Sequence, residues 1–235
     1  MTIRQAQPAD APSVVRLLFD AIKDIGFQLT GAATEQEVID RLTNFFVQEG
    51  NRFSSNQFLV KIADGETAGM ILCYHGSDAE TIDRPILDEL RRITNDPTLT
   101  IDKEADEDEY YIDALAVSPE WGGRGIGTEL IQAAEQHAQQ RGYGKIALNV
   151  EQYNERACSL YKKLGYVTDK ETIINKKNVF SYDKKPLKAV ETASGLAFCG
   201  TEVFSLHAAS PPQLLTKIKG APPVRKPPFT PSFDR

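Results

Sequence analysis

The chain has 235 residues, 41% hydrophobic and 26% charged, with a formal net charge of −6. That balance suits a globular protein with a real core and argues against nucleic acid or another polyanion as partner. No apolar run approaches the roughly eighteen residues of a membrane span, and no basic stretch followed by an apolar one marks the N-terminus, so a cytoplasmic address without membrane attachment is expected. Cys73, Cys158 and Cys199 are few and far apart, with no paired spacing, which excludes a disulfide framework or structural zinc site; no metal is expected.

Thr2–Ala6 reads as a short strand. "PADAPSVVRLLFDAIKDIG" reads as one helix, with Asp10 as its cap and Val14, Leu17, Leu18, Ala21, Ile22 and Ile25 recurring at helical spacing. "TEQEVIDRLTNFFVQEG" predicts a second amphipathic helix, with Thr34 and Glu37 in capping-box relation, Val38, Leu42, Phe45 and Phe46 on one face, and Gly50 at its end. "QFLVKIADGETAGMILCYHG" is two strand-like runs around a tight turn, hence a hairpin. Residues 77–109 break the pattern and read as an insertion: a helical segment around Ile86, Leu87, Leu90 and Ile93, then the acidic run "DKEADEDE", expected to be a solvated loop.

"YYIDALAV" is the next strand, Gly125–Arg141 a helix, "KIALNV" a strand, Asn154–Leu164 a helix, and "YVTDKETII" and "NVFSYDK" two further strands. Alternation of strand and helix beside an N-terminal hairpin implies a mixed α/β (α+β) sheet flanked by helices. Residues 1–187 are expected to form this domain. Residues 188–235 have no clean period and turn Pro-rich and basic, so they are expected to be an irregular, mobile extension.

The stretch "AVSPEWGGRGIGTELI" concentrates Gly122, Gly123, Gly125 and Gly127 between a strand and a helix. Such a turn aims main-chain N–H groups and the helix dipole at one point and makes a nest for phosphate, which side chains would obstruct. Arg124 can add a charge-assisted contact. A P-loop would need a Lys after the glycines, and a dinucleotide fingerprint would need a third Gly where Leu130 stands. An ordinary glycine-rich helix entry is the remaining alternative at this point.

In "NERACSLYKKLGY", Asn154 stands where the helix begins, Ala157, Tyr161 and Leu164 share its inward face, and Gly165 ends it. Alone, Tyr161 would read as a packed aromatic. Taken together, "LAVSPEWGGRGIG" and "NERACSLYKKLGY" resemble the two signature segments of the GNAT superfamily of N-acetyltransferases, over roughly Thr2 to Lys184, with the insertion and the extension outside the common pattern.

That resemblance implies a centrally splayed sheet, acetyl-CoA as cosubstrate, and transfer of its acetyl group to a primary amine by direct attack in a ternary complex. It implies that the loop Gly122, Gly123, Arg124, Gly125, Ile126, Gly127 and Thr128 holds the pyrophosphate, and that the backbone of Leu115, Ala116 and Val117 bonds the pantetheine arm. Where relatives usually carry Gln or Arg, this chain has Gly122, at the cost of a side-chain contact. Asn154 would contact the same arm, Tyr161 would protonate the leaving thiolate, and a backbone N–H near Leu115 would serve the oxyanion. Some relatives carry Glu where this chain has Asn149, so the base is open. Asp113, two residues before Leu115 and expected on the same strand face, is the first candidate, and Glu151 the second; a buried hydrogen-bonded carboxylate or an ammonium anchor is the competing reading of Asp113. His75 and His137 are expected to take no part. The acceptor is expected to be a small cationic amine, since acidic groups, the loop Asp102 to Glu109 among them, are expected around the slot. A protein or peptide N-acetyltransferase, a non-catalytic CoA-binding regulatory module and a nucleotide-binding domain are the alternatives, and a homodimeric assembly is left open.

Overall fold

The computed structural model describes residues 1–184; the expectation for 188–235 lies outside the described residues. In chain order the elements are β1 (Thr2–Gln5), α1 (Ala11–Ile22), α2 (Asp24–Thr30), α3 (Glu35–Val47), β2 (Phe58–Ala63), β3 (Glu66–His75), α4 (Ala79–Thr94), β4 (Tyr110–Val117), α5 (Ile126–Gln140), β5 (Ile146–Glu151), α6 (Glu155–Lys163), β6 (Val167–Ile174) and β7 (Lys177–Lys184). The strands form one sheet in the order β1-β2-β3-β4-β5-β7-β6. Only β4 and β5 pair in parallel, as a strand–helix–strand crossover through α5 requires.

Each face of the sheet buries its own core. On one side Ile71, Ile112, Leu130, Ile131 and Leu148 pack between the strands, α5 and α6. On the other, Val14, Leu18, Val38, Leu42, Phe46 and Met70 join the strands to α1 and α3. Burying side chains of this size contributes roughly 2 kcal/mol each, enough to fix which face of every amphipathic helix meets the sheet.

Three local expectations differ. The first helix stops at Lys23, whose φ is 42°, and α2 restarts at Asp24. Gly26 lets α2 lie close to α3, since a Cβ there would meet Val38 Cγ1 at 3.2 Å. Asp10 does not cap α1 with its side chain. It accepts instead from Arg4 at 2.7 and 2.8 Å and from the Gln7 N–H at 2.7 Å, tying β1 to the helix entry. The third helix does begin at Thr34, which accepts from the Glu37 N–H, but it ends at Val47, short of Gly50.

Two irregularities in β4 shape the centre of the sheet. Pairing with β5 covers only Tyr110 to Ile112, opposite Ile146 to Leu148, so the two strands part beyond Ile112. In the pairing with β3, Leu72 faces Ala114 and Cys73 faces Ile112, which leaves Asp113 as the extra residue of a β-bulge.

Candidate active site

The bulge changes the phase of β4. Ala114 and Ala116 turn toward the core under α1 and α3, while Leu115 and Val117 pack toward α5. Asp113 turns to Arg52 and therefore does not share Leu115's face; the alternation rule behind that expectation fails because a bulge inserts a residue. Backbone groups shift with it. Ser118 N–H donates to Ala68 O at 2.9 Å, so Ala116, two residues earlier, also directs its peptide groups to β3, and its carbonyl lies against Gly69. By the same alternation Leu115 and Val117 present their N–H and C=O to the edge that β5 has left. Of the three residues predicted to offer backbone, these two have it free.

The parted strands open a cleft of about 620 Å³. Leu115, Asp113, Glu151, Asn154 and Tyr161 all line it, whereas none of the loop residues Gly122 to Thr128 does. Its remaining walls come from the α1–α2 junction, Arg52 and Phe53 ahead of β2, Glu104, Asn149 and the β6–β7 turn. Asn154 is the cap of α6, its Oδ1 accepting from the Ala157 N–H at 3.1 Å. Tyr161 is 9% exposed and rests edge-on against Tyr166, ring centres 5.8 Å apart. Burial pushes its phenol up to about 12, so it carries its proton throughout the working pH range.

Beyond Val117 the chain turns through Pro119–Trp121 into the glycine loop. Gly123 and Gly125 have φ of 75° and 80°, where a Cβ is strained, and nothing lies within 4 Å of where their Cβ atoms would be. Gly125 is the cap residue of α5. Gly122 donates to Pro119 O at 3.2 Å, so its N–H belongs to the turn. Glu129 makes the first intrahelical bond, back to Gly125 O at 3.1 Å. Among the described residues, the N–H groups from Gly123 to Thr128 donate to no protein acceptor. These are the orphan donors of a helix entry, concentrated by the glycines, and the dipole of α5 adds positive potential there. Arg124 is exposed, its guanidinium 4.7 Å from the centre of the Trp121 ring.

The floor of the cleft holds Arg52, which sequence reasoning missed, beside Glu104 of the acidic run and Asn149. Arg52 is 1% exposed. Its guanidinium donates to Asp83 at 2.6 and 2.8 Å and to Glu104 at 3.0 Å, stands 3.6 Å from Asp113 Oδ2, and lies 5.3 Å from the Tyr74 ring centre. Glu104 also accepts from the Tyr111 hydroxyl at 3.1 Å. Asn149 Nδ2 donates to the Glu104 carbonyl at 2.9 Å and to Tyr111 Oη at 3.0 Å. The acidic run is therefore not a uniformly solvated loop: Glu104 is 11% exposed, and Glu109, 3% exposed, pairs with Lys145 at 2.7 Å. No spacing in "DKEADEDE" distinguishes Glu104 from its neighbours, and Arg52 lies in a loop without period.

Three carboxylates share one guanidinium here, and Asp113 is the one left over. Among the described residues, its Oδ2 is buried without a hydrogen-bond partner. Burial, with Glu104 and Asp83 adding to it against the opposing pull of Arg52, raises its carboxyl to about 7. Glu151 is held differently, by an ion pair to Lys177 at 2.6 Å. His137 accepts or donates at 2.8 Å with Tyr110 Oη, and His75 stacks on Tyr143 with ring centres 4.2 Å apart; neither lines the cleft.

The splayed sheet, the glycine-rich entry to α5 and the tyrosine on α6 define the acetyltransferase class of fold and site. The chain belongs to the GNAT acetyltransferase family, whose model matches residues 27–166. Of the solved structures it resembles, a crystal structure of an acetyltransferase has 26% sequence identity and a TM-score of 0.68, over 79% of this chain and 100% of that one. The N-acetyltransferase of Staphylococcus aureus Mu50 is 26% identical with a TM-score of 0.67, over 78% of this chain and 100% of its own. Among curated relatives, thialysine N-epsilon-acetyltransferase of Bos taurus is 38% identical over 55 residues, which is 23% of this chain and 32% of that protein. N-alpha-acetyltransferase 30 of Schizosaccharomyces pombe is 43% identical over 56 residues, 24% of this chain and 37% of that protein. The chain thus spans about a third of the length of the curated relatives it matches. Among the described residues, no helix is long and apolar enough to cross a membrane.

Proposed function

We propose that this protein transfers the acetyl group of acetyl-CoA to the primary amine of a small cationic acceptor, by direct attack in a ternary complex. The observation that carries this reading is the convergence, in one cleft, of a free β4 edge, a protonated tyrosine and a carboxyl group raised to about 7.

The residues present fit the acyl donor. The open loop from Gly123 to Thr128 would hold its diphosphate through main-chain N–H groups, with Arg124 free to swing from Trp121. The free peptide groups of Leu115 and Val117 would take the pantetheine arm as a strand takes a partner, with the Asn154 amide beside them. Acetyl-CoA supplies a thioester, an acyl group activated for attack by nitrogen.

The chain's residues then divide the proton work. Asp113 takes a proton from the acceptor's ammonium, for which a carboxyl near 7 is matched at neutral pH. The Leu115 N–H, preorganised on the strand, stabilises the carbonyl oxygen as charge develops on it. Tyr161 gives its proton to the sulfur as the carbon–sulfur bond breaks and the carbon–nitrogen bond forms, and it regains one from the new amide nitrogen. Asp113 returns its proton to solvent, so the sum is one amide, one thiol and one released proton.

A cationic acceptor follows from the charges around the cleft. Arg52 is already committed to Asp83 and Glu104, and Lys177 to Glu151, which leaves Asp113 as a carboxyl with no hydrogen-bonded counterion. The test is thiol release from acetyl-CoA by the full chain over a panel of primary amines, amino acids and peptides. Amine-dependent release, greatest with small polycations, supports the reading. CoA binding without amine-dependent release would replace it with a non-catalytic CoA-binding module.

A further inference from the structure

The connection between β3 and β4 reaches the floor of the acceptor cleft at one point. Glu104 enters from it and bonds residues of three other segments. Its carboxylate accepts from Arg52 ahead of β2 and from Tyr111 on β4, and its carbonyl accepts from Asn149 on β5. Asn149 and Asp113 are the first residues past the last β4–β5 pair, Ile112 with Leu148. Glu104 therefore plugs the vertex where the two strands separate.

We propose that Glu104 is a specificity-determining residue of the acetyl-transfer reaction, a carboxylate fixed at the vertex of the cleft that draws the acceptor's ammonium there, beside Asp113. This rests on the acetyl-transfer reading and names a determinant of its acceptor. Glu104 and Asp113 have separate tasks because their surroundings differ. Two donors, a guanidinium and a phenol, hold the two oxygens of Glu104 in place. Asp113 has a buried oxygen with no donor and only the more distant flank of Arg52. Each Glu104 oxygen keeps a second lone pair for an ammonium, which has three donors to offer.

The groups facing Asp113 are Arg52 ahead of β2, Asp83 on α4, Glu104, Cys73 and Tyr74 on β3, and Tyr111 on β4. Asp83 supplies a control, since it carries the same charge to Arg52 without lining the cleft. Removing either negative charge should let Asp113 ionise at lower pH. Only removal of Glu104 should weaken the acceptor.

The experiment uses the full chain and 1,4-diaminobutane as probe, with three measurements: its dissociation constant by calorimetry in excess CoA, its turnover with acetyl-CoA, and the Asp113 midpoint by carboxyl NMR, with Asp113→Asn for assignment. Glu104→Gln is expected to weaken probe binding at least tenfold and to lower the midpoint by about one pH unit. Asp83→Asn is expected to lower the midpoint while leaving binding within twofold, and Glu104→Asp, which keeps the charge, to restore binding to within threefold. Unchanged binding in Glu104→Gln, absent binding in the parent, or equal weakening in Asp83→Asn overturns the proposal. Turnover that is insensitive to Glu104 would remove this inference and leave acetyl transfer standing. Glu104-dependent binding without turnover would do the reverse.

Discussion

The two ends of the β4 edge solve opposite physical problems. Around the entry to α5, the proposed recognition would be built from missing side chains: Gly123 and Gly125 take positive φ, nothing among the described residues crowds them, and the donors are exposed peptide N–H groups. At the vertex of the strands, it would be built from charged side chains brought from distant segments, with Arg52 at 1% exposure among Asp83, Glu104 and Asp113. A diphosphate can be held by dipoles that need no counterion and tolerate water. A proton transfer requires a carboxyl moved from its ordinary range, which takes burial and neighbouring charge.

Substitutions that separate the two regions should differ in kind. Tyr161→Phe removes the proton given to sulfur while keeping the ring against Tyr166. We expect kcat to fall on the order of 100-fold or more with little change in either KM, measured by thiol release over both substrates. Asp113→Asn should cost about 100-fold in kcat/KM for the amine and leave acetyl-CoA binding intact by calorimetry, marking the vertex as an acceptor region. Gly125→Val should do the converse. A β-branched residue at φ 80° costs at least about 1–2 kcal/mol, so acetyl-CoA affinity should drop roughly tenfold while the amine's pH dependence is unchanged. Glu151→Gln is the smallest change: its partner is Lys177 rather than a reacting group, so kcat/KM should stay within about threefold. A larger loss there would move the base from Asp113 to Glu151.

Asp113 should also be visible in stability. Its folded value, about 7, lies above the usual unfolded one near 4, so its contribution is complete below about pH 4 and is lost as pH rises through 7. The melting temperature of Asp113→Asn relative to the parent should therefore climb between pH 4 and 7 and level off above. A difference independent of pH would mean that Asp113 titrates normally.

The donor end was legible in the sequence because its physics is local. A strand, a dense set of glycines and a helix stand within one stretch from Ala116 to Ile131, and each glycine declares a backbone requirement. Tyr161 and Asn154 were legible for the same reason, as periodic positions on a short capped helix. The acceptor floor was not. Arg52, Asp83, Glu104 and Asn149 lie far apart in the chain and share no period, and in "DKEADEDE" the buried glutamates look like the exposed ones. Asp113 was named a candidate base on strand alternation, which placed it beside Leu115, whereas the bulge turns it to Arg52. The same bulge left Ala116 without a free peptide edge, and no residue type in "YYIDALAV" signals it.

The most direct test is the pH dependence of kcat/KM for the accepted amine, measured in the parent and in Asp113→Asn at saturating acetyl-CoA. The parent should lose activity below about pH 7 with a single protonation, and Asp113→Asn, slower throughout, should lack that limb. An unchanged limb in Asp113→Asn would contradict the account, because the proton would then leave by a group other than the one the bulge presents.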